Sequence, residues 1–275
     1  METLRMFALN PIAGFFWDPS PIFLQIPGTN LSIAWYGLLF ALGLFGAYHL
    51  MRRRLPDLGM SLQQLDALTS WTALSLVIGA RLAHVIFYDW PYYSMHLLDI
   101  LKVWEGGLAS HGGVLGALAA IIFFARANKL SPLRLIDAIA PVGVFVGIWI
   151  RCGNFFGQEI LGKVSSLPWA VTFGHPSDGS IPLPRHPVQL YEAALYGLVF
   201  ALSWNLWKRA RVRPGFVTGF VLAAAFSGRT AIESLKEPMS HVYEGALHMG
   251  ALLSVPIILT GCLMMWLSRP SLIEN

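Results

Sequence analysis

Long apolar runs are the feature of this chain that most constrains its fold. Seven of them are long enough, at about 20 residues each, to cross the hydrocarbon core of a bilayer. They are Ile33–Met51, Leu68–Phe87, Leu108–Ala125, Ile136–Phe156, Val188–Trp207, Phe216–Leu235 and Ala246–Leu267. Only 12% of the residues are charged, against about 25% in an ordinary globular domain. The pattern predicts an all-α integral membrane protein with about seven transmembrane helices, forming a single polytopic domain over residues 1–275.

Basic residues between the runs predict the orientation of the chain. Eleven lysines and arginines follow the first, third, fifth and seventh runs, and five lie in the opposite loops. Cytoplasmic loops of membrane proteins carry the excess of lysine and arginine. The N-terminus is therefore expected in the periplasm and the C-terminus in the cytoplasm. The net charge of +4 reflects this bias and does not indicate a nucleic-acid partner.

Two segments outside the runs are expected on the periplasmic side. Residues 1–32 contain four prolines and do not fit the pattern of a cleaved signal peptide. We expect a short interfacial helix there, with Phe15, Phe16 and Trp17 as membrane anchors. Residues 157–187 form a loop rich in glycine, serine and proline with a short β-like stretch, "WAVTF". Long loops are often functional lids, so this loop is expected to cover a site or receive a peptide.

Three arginines lie inside the apolar runs, where a charge is costly and seldom without a function. Arg81, Arg151 and Arg229 each fall toward the predicted outer end of a run. Guanidinium groups bind phosphate through paired hydrogen bonds. The three arginines therefore predict an electropositive site in the outer half of the membrane. Its ligand would be a phospholipid headgroup or another anionic substrate.

Further polar side chains are expected in the same layer of the membrane. They are Tyr36, His111, Asn154, Glu159, Gln189, Tyr191, Glu192 and Glu233. Structural explanations stay open: Arg229 and Glu233 could form a buried ion pair, Arg81 could reach the headgroups, and His111 could be a core histidine. Cys152 and Cys262 form no metal-binding pattern, so neither a metal nor a cofactor is expected.

Six short motifs occur in order along the chain. They are "WYG" (Trp35–Gly37), "GARLAHVIFY" (Gly79–Tyr88), "WEGGLASHGG" (Trp104–Gly113), "RCGNFFGQE" (Arg151–Glu159) followed by Gly162, "LPRHPVQLYE" (Leu183–Glu192) and "GRTAIE" (Gly228–Glu233). As a set, and from end to end of the chain, they resemble the phosphatidylglycerol–prolipoprotein diacylglyceryl transferase family. The seven predicted spans and the external N-terminus fit that resemblance.

The resemblance implies a multi-pass enzyme of the bacterial inner membrane. Such an enzyme moves the diacylglyceryl group of phosphatidylglycerol to the lipobox cysteine of a prolipoprotein signal peptide, and glycerol phosphate leaves. Its partners are phosphatidylglycerol, the prolipoprotein and membrane lipids, and it needs no metal, cofactor or nucleic acid. The resemblance implies catalytic roles for His111, Arg229, Arg151 and Glu233, with His111 as candidate base. It implies lipid-binding roles for Arg151, Asn154, Tyr36, Arg81, Glu159 and Gly162.

The chain also departs from the usual pattern of that family. The departures are Ile150, Gly157, Gln158, Ala225, Lys236 and Ala251, and they surround a retained charged centre. We interpret the chain as a divergent member. Two other classes of function are alternatives: an anionic lipid transporter or flippase, and a non-catalytic phospholipid-binding membrane protein. The sequence shows no paired inverted halves, which disfavours a transporter, and the retained His111 disfavours a scaffold.

Overall fold

The computed structural model describes residues 14–29, 31–210, 213–237 and 249–268. Within these ranges the chain is mostly helical. Seven helices have 18 or more residues: α1 (Trp35–Arg52), α2 (Leu62–Phe87), α3 (Ser110–Ala127), α4 (Pro132–Phe156), α5 (Val188–Ala210), α6 (Phe216–Glu233) and α7 (Met249–Leu267). Short helical turns cover Leu55–Leu58, Trp90–Tyr93, Leu97–Leu101 and Val103–Glu105. The strands are β1 (Phe15–Trp17), β2 (Ile22–Gln25), β3 (Ser32–Ala34), β4 (Val171–Phe173) and β5 (Pro184–Arg185).

Each of the seven predicted runs overlaps one of these long helices, which confirms the helical class. Helices α2, α3 and α4 are long and apolar enough to cross a membrane. Helix α7 contains a shorter apolar segment, Leu252–Leu267. The structure therefore supports a membrane-spanning fold.

Helix α2 begins at Leu62, six residues before the run predicted at Leu68. A capping box explains the early start: Ser61 Oγ accepts from the backbone N–H of Gln64, and Gln64 Oε1 accepts from the N–H of Ser61. These contacts satisfy backbone donors that the first turn of a helix leaves without partners. Hydropathy alone misses this turn because its residues are polar.

The chain divides into two compact units. The first comprises Met1–Ala47 and Ala140–Asn275, and the second comprises Tyr48–Ile139. In the second unit, α2 and α3 pack through glycines. A Cβ atom on Gly79 or Gly116 would collide with backbone of the facing helix. The contact explains the glycine spacing in "SHGGVLG", because small residues let helix backbones approach closely.

In the first unit, short strands surround the end of α4. Strand β4 pairs in parallel with β1 and antiparallel with β5, and β2 pairs with β3. The predicted interfacial helix does not include Phe15, Phe16 and Trp17, because these residues form β1. The part of that prediction that falls on residues 1–13 lies outside the described residues. Trp17 packs against Phe155 at a ring distance of 4.8 Å and donates its indole N–H to the Phe155 carbonyl. The β-like stretch of the long loop is confirmed as β4.

Candidate functional site

The end of α4 carries a chain of hydrogen-bonded polar groups. Arg151 and Asn154 lie on one helix face, and Arg151 Nη1 donates to Asn154 Oδ1 at 3.0 Å. Asn154 Nδ2 in turn donates to Glu159 Oε2 at 2.9 Å. The backbone N–H of Glu159 bonds to the Asn154 carbonyl, which folds the chain back beyond the helix end. The motif "RCGNFFGQE" therefore brings its arginine, asparagine and glutamate together.

Gln158, one of the departures from the family pattern, joins three segments. Its φ of +53° is in the left-handed region that glycine adopts most readily. Its buried side chain accepts from the backbone N–H of His175 at 2.7 Å. The same side chain donates to Asp18 Oδ1 and the Pro19 carbonyl at 3.4 Å each. These contacts link the signature motif to the N-terminal segment and to the long loop.

Buried charges from α4, α5 and the end of α6 form an ion-pair row: Arg151, Glu192, Lys236 and Glu233. Glu192 Oε2 lies 2.8 Å from Arg151 Nε, an ion pair in which the N–H does not point at the oxygen. Lys236 Nζ donates to Glu192 Oε1 and to Glu233 Oε2, both at 2.9 Å. Glu192 has 0% exposure, and a charge buried so completely needs opposite charges beside it.

Arg229 on α6 adds a third cation to this region. Its guanidinium is electrostatically coupled to Tyr196, Glu192 and Glu233. Glu233 makes its shortest ionic contact with Lys236, and not with Arg229, the partner that the sequence left open. Together with Glu159, three carboxylates balance the cations Arg151, Arg229 and Lys236. The region is formally neutral, whereas the sequence predicted an excess of positive charge.

Tyr36 contacts the end of α4 through its side chain, and Gly162 contacts Lys236 through its backbone. Tyr36, in the first turn of α1, packs on Gly153 so closely that a Cβ there would lie 2.9 Å from Tyr36 Cδ2. Gly162 forms a backbone bridge with Lys236, and its carbonyl accepts from Arg185 Nη1 at 3.1 Å. A side chain at Gly162 would collide with the His186 carbonyl. Gly162 thus contributes a close backbone contact.

Arg81 lies in the second unit, where backbone carbonyls surround its guanidinium. It donates to the carbonyls of Ile100 and Asp99 at 2.9 and 2.6 Å. Nη1 donates to Gly106 at 2.6 Å and to Gly107 at 3.2 Å. Both glycines have positive φ angles, which side chains would strain. These contacts favour a role in holding the 99–107 loop.

His111, in the first turn of α3, is an exposed histidine of the second unit. Its ring lies 5.9 Å from the ring of Tyr88, and Tyr88 stacks on His84 at 5.7 Å. His84 Nε2 in turn lies 3.0 Å from Asp89 Oδ2. The predicted base therefore stands beside an aromatic neighbour with its imidazole accessible.

Two members of the ion-pair row had no predicted role. Glu192 was expected only in the polar layer, and Lys236 was noted as a basic loop residue and as a departure from the family pattern. The available signals were the first-turn position of Glu192 on α5 and the three-residue spacing of Lys236 from Glu233. In the described ranges, no group of three or more histidine, cysteine, aspartate or glutamate residues could hold a metal ion.

The apolar helices are long enough to cross a bilayer, and paired charges are buried at the end of α4. These two features define an integral membrane protein with an ionic site. The sequence matches the family model for prolipoprotein diacylglyceryl transferase over residues 21–267. The chain therefore belongs to the prolipoprotein diacylglyceryl transferase family.

Relatives named phosphatidylglycerol–prolipoprotein diacylglyceryl transferase agree with this assignment. The protein from Tolumonas auensis is 41% identical over 256 residues, which cover 92% of this chain and 97% of the relative. The protein from Brucella ovis is 38% identical over 260 residues, covering 89% and 91%. The protein from Protochlamydia amoebophila is 44% identical over 209 residues, covering 73% of this chain and 56% of the longer relative.

Proposed function

We propose that the chain transfers the diacylglyceryl group of phosphatidylglycerol to the lipobox cysteine of prolipoproteins and releases glycerol phosphate. The names of its relatives support this reaction. The observation that carries it is the hydrogen-bonded and ion-paired arrangement around Arg151 at the end of an apolar helix. A buried guanidinium held in this way is suited to a lipid phosphate.

Arg151 would meet the phosphate with the part of its guanidinium that faces away from Glu192. Nε is paired with Glu192 and Nη1 bonds to Asn154, whereas Nη2 has no hydrogen-bond partner among the described residues. Arg229 would be the second cation. In the reaction the thiol sulfur bonds to a glycerol carbon while the carbon–oxygen bond to phosphate breaks. Cations fixed beforehand stabilise the charge that grows on the leaving phosphate.

His111 would take the thiol proton. Histidine titrates near physiological pH and is the commonest general base. Glu233 would hold Lys236 in the ion-pair row, and Glu159 would hold Asn154 toward Arg151. Tyr36 and Asn154 would position the headgroup, Gly162 would act through its backbone, and Arg81 would act through the loop that it holds. These roles follow the residues' contacts and the family's chemistry.

We also infer that the chain crosses the inner membrane seven times as a single polytopic domain. The N-terminus would be periplasmic and the C-terminus cytoplasmic. The bias of basic residues supports this orientation. The number of helices with 18 or more residues in the described ranges, which is seven, supports the number of spans. Residues 1–32 and 157–187 would then lie on the periplasmic side, together with the end of α4 that carries Arg151.

The test is transfer by the purified protein in detergent. The donor is phosphatidylglycerol labelled in both glycerols, and the acceptor is a peptide with a lipobox cysteine. We expect diacylglyceryl label on the peptide and release of glycerol phosphate, with no transfer to a peptide that carries serine in place of the cysteine. Lipid binding without transfer, while a relative transfers in the same assay, would contradict the proposal.

Variants in the same assay test the roles of single residues. Arg151→Ala should abolish transfer, and His111→Gln should slow it by about 10²- to 10⁴-fold, the usual contribution of a general base. Arg134→Ala and His96→Gln are matched controls, because both residues are exposed and outside the proposed roles. Normal turnover by Arg151→Ala would exclude the phosphate site, and normal turnover by His111→Gln would exclude this base.

A further inference from the structure

We propose that Glu192 is a positioning residue for diacylglyceryl transfer and that Lys236 is the counter-ion that makes this possible. Glu192 would orient the guanidinium of Arg151 toward the lipid phosphate. Lys236 would prevent the carboxylates of the row from cancelling the charge of Arg151. The inference rests on the proposed transfer reaction and assigns two residues beyond it.

The contacts of Glu192 show that it joins three parts of the first unit. It lies in the first turn of α5, and its two oxygens face different cations. Oε2 lies 2.8 Å from Arg151 Nε on α4. Oε1 accepts from Lys236 Nζ at 2.9 Å, just beyond α6. With 0% exposure, Glu192 cannot turn to solvent, so its carboxylate fixes the distance between these two cations.

The guanidinium of Arg151 is planar and rigid, so contacts on one side determine where the other side points. Glu192 holds the Nε side, and Asn154 accepts from Nη1 at 3.0 Å. The ionic contact and the hydrogen bond together hold the guanidinium from one side and limit where Nη2 can point. Without the carboxylate, Arg151 would keep its charge but lose this constraint. Misplacement by about 1 Å can cost about 10²-fold in rate even when binding survives.

Lys236 has a different effect because it changes the charge of the row. Arg151 and Lys236 contribute two positive charges, and Glu192 and Glu233 contribute two negative charges, so the row is neutral. Removing the lysine charge leaves a net charge of −1 beside the phosphate site. Removing the Glu192 charge leaves +1. The structure thus predicts that loss of Lys236 weakens lipid binding, while loss of Glu192 mainly slows turnover.

The experiment compares kcat and KM for phosphatidylglycerol in the peptide-transfer assay. Glu192→Gln keeps the size of the side chain and should lower kcat by about 10- to 100-fold. Its KM should stay the same or fall, because the row then carries one extra positive charge beside the phosphate. Lys236→Met should raise KM about tenfold or more through repulsion of the phosphate. Lys236→Arg keeps the charge and should restore nearly normal KM. Glu237→Gln is the matched control, because Glu237 pairs with Arg185 outside the row.

The outcomes separate positioning from folding and from the reaction itself. Unfolding temperature and gel-filtration profile report whether each variant is folded. Equal changes of kcat and KM in Glu192→Gln and Lys236→Met would overturn the proposal, as would wild-type turnover by folded Glu192→Gln. If Glu192→Gln does not fold, the comparison of Lys236→Met with Lys236→Arg tests the proposal. An equal KM for phosphatidylglycerol in these two variants would contradict it. A wild-type protein that transfers nothing would overturn the proposed function and this inference together.

Discussion

At the residue scale, the hydrogen-bond and ionic partners of Arg81 and Arg151 distinguish a structural role from a role in the site. Arg81 donates four hydrogen bonds to carbonyls of one loop. Arg151 is held by one amide oxygen and one carboxylate, and in the proposed site the other side of its guanidinium would take an anion. Both are charges in apolar helices. Only the arrangement of their partners distinguishes a structural guanidinium from one that can bind phosphate.

Replacing Arg81 tests this distinction. Arg81→Lys keeps the charge, but an ammonium group cannot reach carbonyls spread from Asp99 to Gly107. The loss of charged hydrogen bonds should lower stability by about 2 kcal/mol, and the 99–107 loop should become sensitive to protease. Thermal unfolding and limited proteolysis measure the two effects. The control is Arg126→Lys, an exposed position of the same unit.

If Arg81 instead contacts the lipid, the loop and the unfolding temperature should stay unchanged in Arg81→Lys. KM for phosphatidylglycerol should then rise in the transfer assay. That pattern would assign Arg81 to the headgroup site and contradict the scaffolding role.

Gly162 offers a second test at the residue scale. A methyl group there would collide with the His186 carbonyl, so Gly162→Ala should displace the backbone next to Lys236. Overpacking of this kind costs about 1 to 3 kcal/mol, and transfer should fall with the unfolding temperature. Gly143→Ala is the control, because no described atom lies within 4 Å of a Cβ there. Equal stability and activity in both variants would show that Gly162 can move freely.

At the element scale, the helices could be predicted from sequence and most tertiary pairings could not. Apolar runs locate the long helices because spanning segments are continuous in sequence. The strand pairing of Phe15–Trp17 with Val171–Phe173 joins segments far apart in the chain, so no local pattern reveals it. For the same reason the sequence could group Arg151, Asn154 and Glu159, which are close in the chain. The pairing of Glu192 with Lys236 could not be predicted. The start of α2 was readable in principle from its capping box.

The contact between the N-terminal segment and the long loop predicts a pH effect. The hydrogen bond from His175 lowers the pKa of the Asp18 carboxyl below its ordinary value of 3.8. A lowered pKa means that the contact stabilises the fold above that value and is lost as the pH falls through the lowered folded value. His175→Ala should therefore raise the pKa of Asp18, as measured by NMR of a labelled carboxyl carbon.

Protease cleavage of the long loop gives a second measurement of the same contact. At neutral pH the loop should be cut faster in His175→Ala than in the wild-type protein. The two proteins should become equally sensitive once Asp18 is protonated in both. His96→Ala is the control, since His96 lies in the other unit. Identical Asp18 titration in the wild type and His175→Ala would show that the pair does not form in solution.

At the scale of the whole molecule, the distribution of charge links topology to chemistry. Basic residues concentrate in the loops predicted to be cytoplasmic. The paired charges lie instead near the opposite end of α4, where Arg151 is five residues from the helix end at Phe156. A lipid phosphate of the outer leaflet lies at that depth only if α4 runs outward. The proposed reaction therefore requires the orientation inferred from the loops.

That orientation can be measured with cysteines introduced near the two ends of the chain. The background is the double variant Cys152→Ser and Cys262→Ser, which removes both native thiols. Ser20→Cys and Ser271→Cys are then treated separately with a membrane-impermeant maleimide in spheroplasts. Seven spans with a periplasmic N-terminus predict labelling of the first variant in intact spheroplasts and of the second only after lysis.

Lysed membranes give the matched control, because both thiols should react once the membrane is open. Labelling of both variants from outside would require an even number of spans and contradict seven. The reverse pattern would place the N-terminus in the cytoplasm and turn α4 inward, so that Arg151 faces the cytoplasmic leaflet. The donor lipid would then have to come from that leaflet, and transfer to a peptide presented on the periplasmic side of sealed vesicles should be absent.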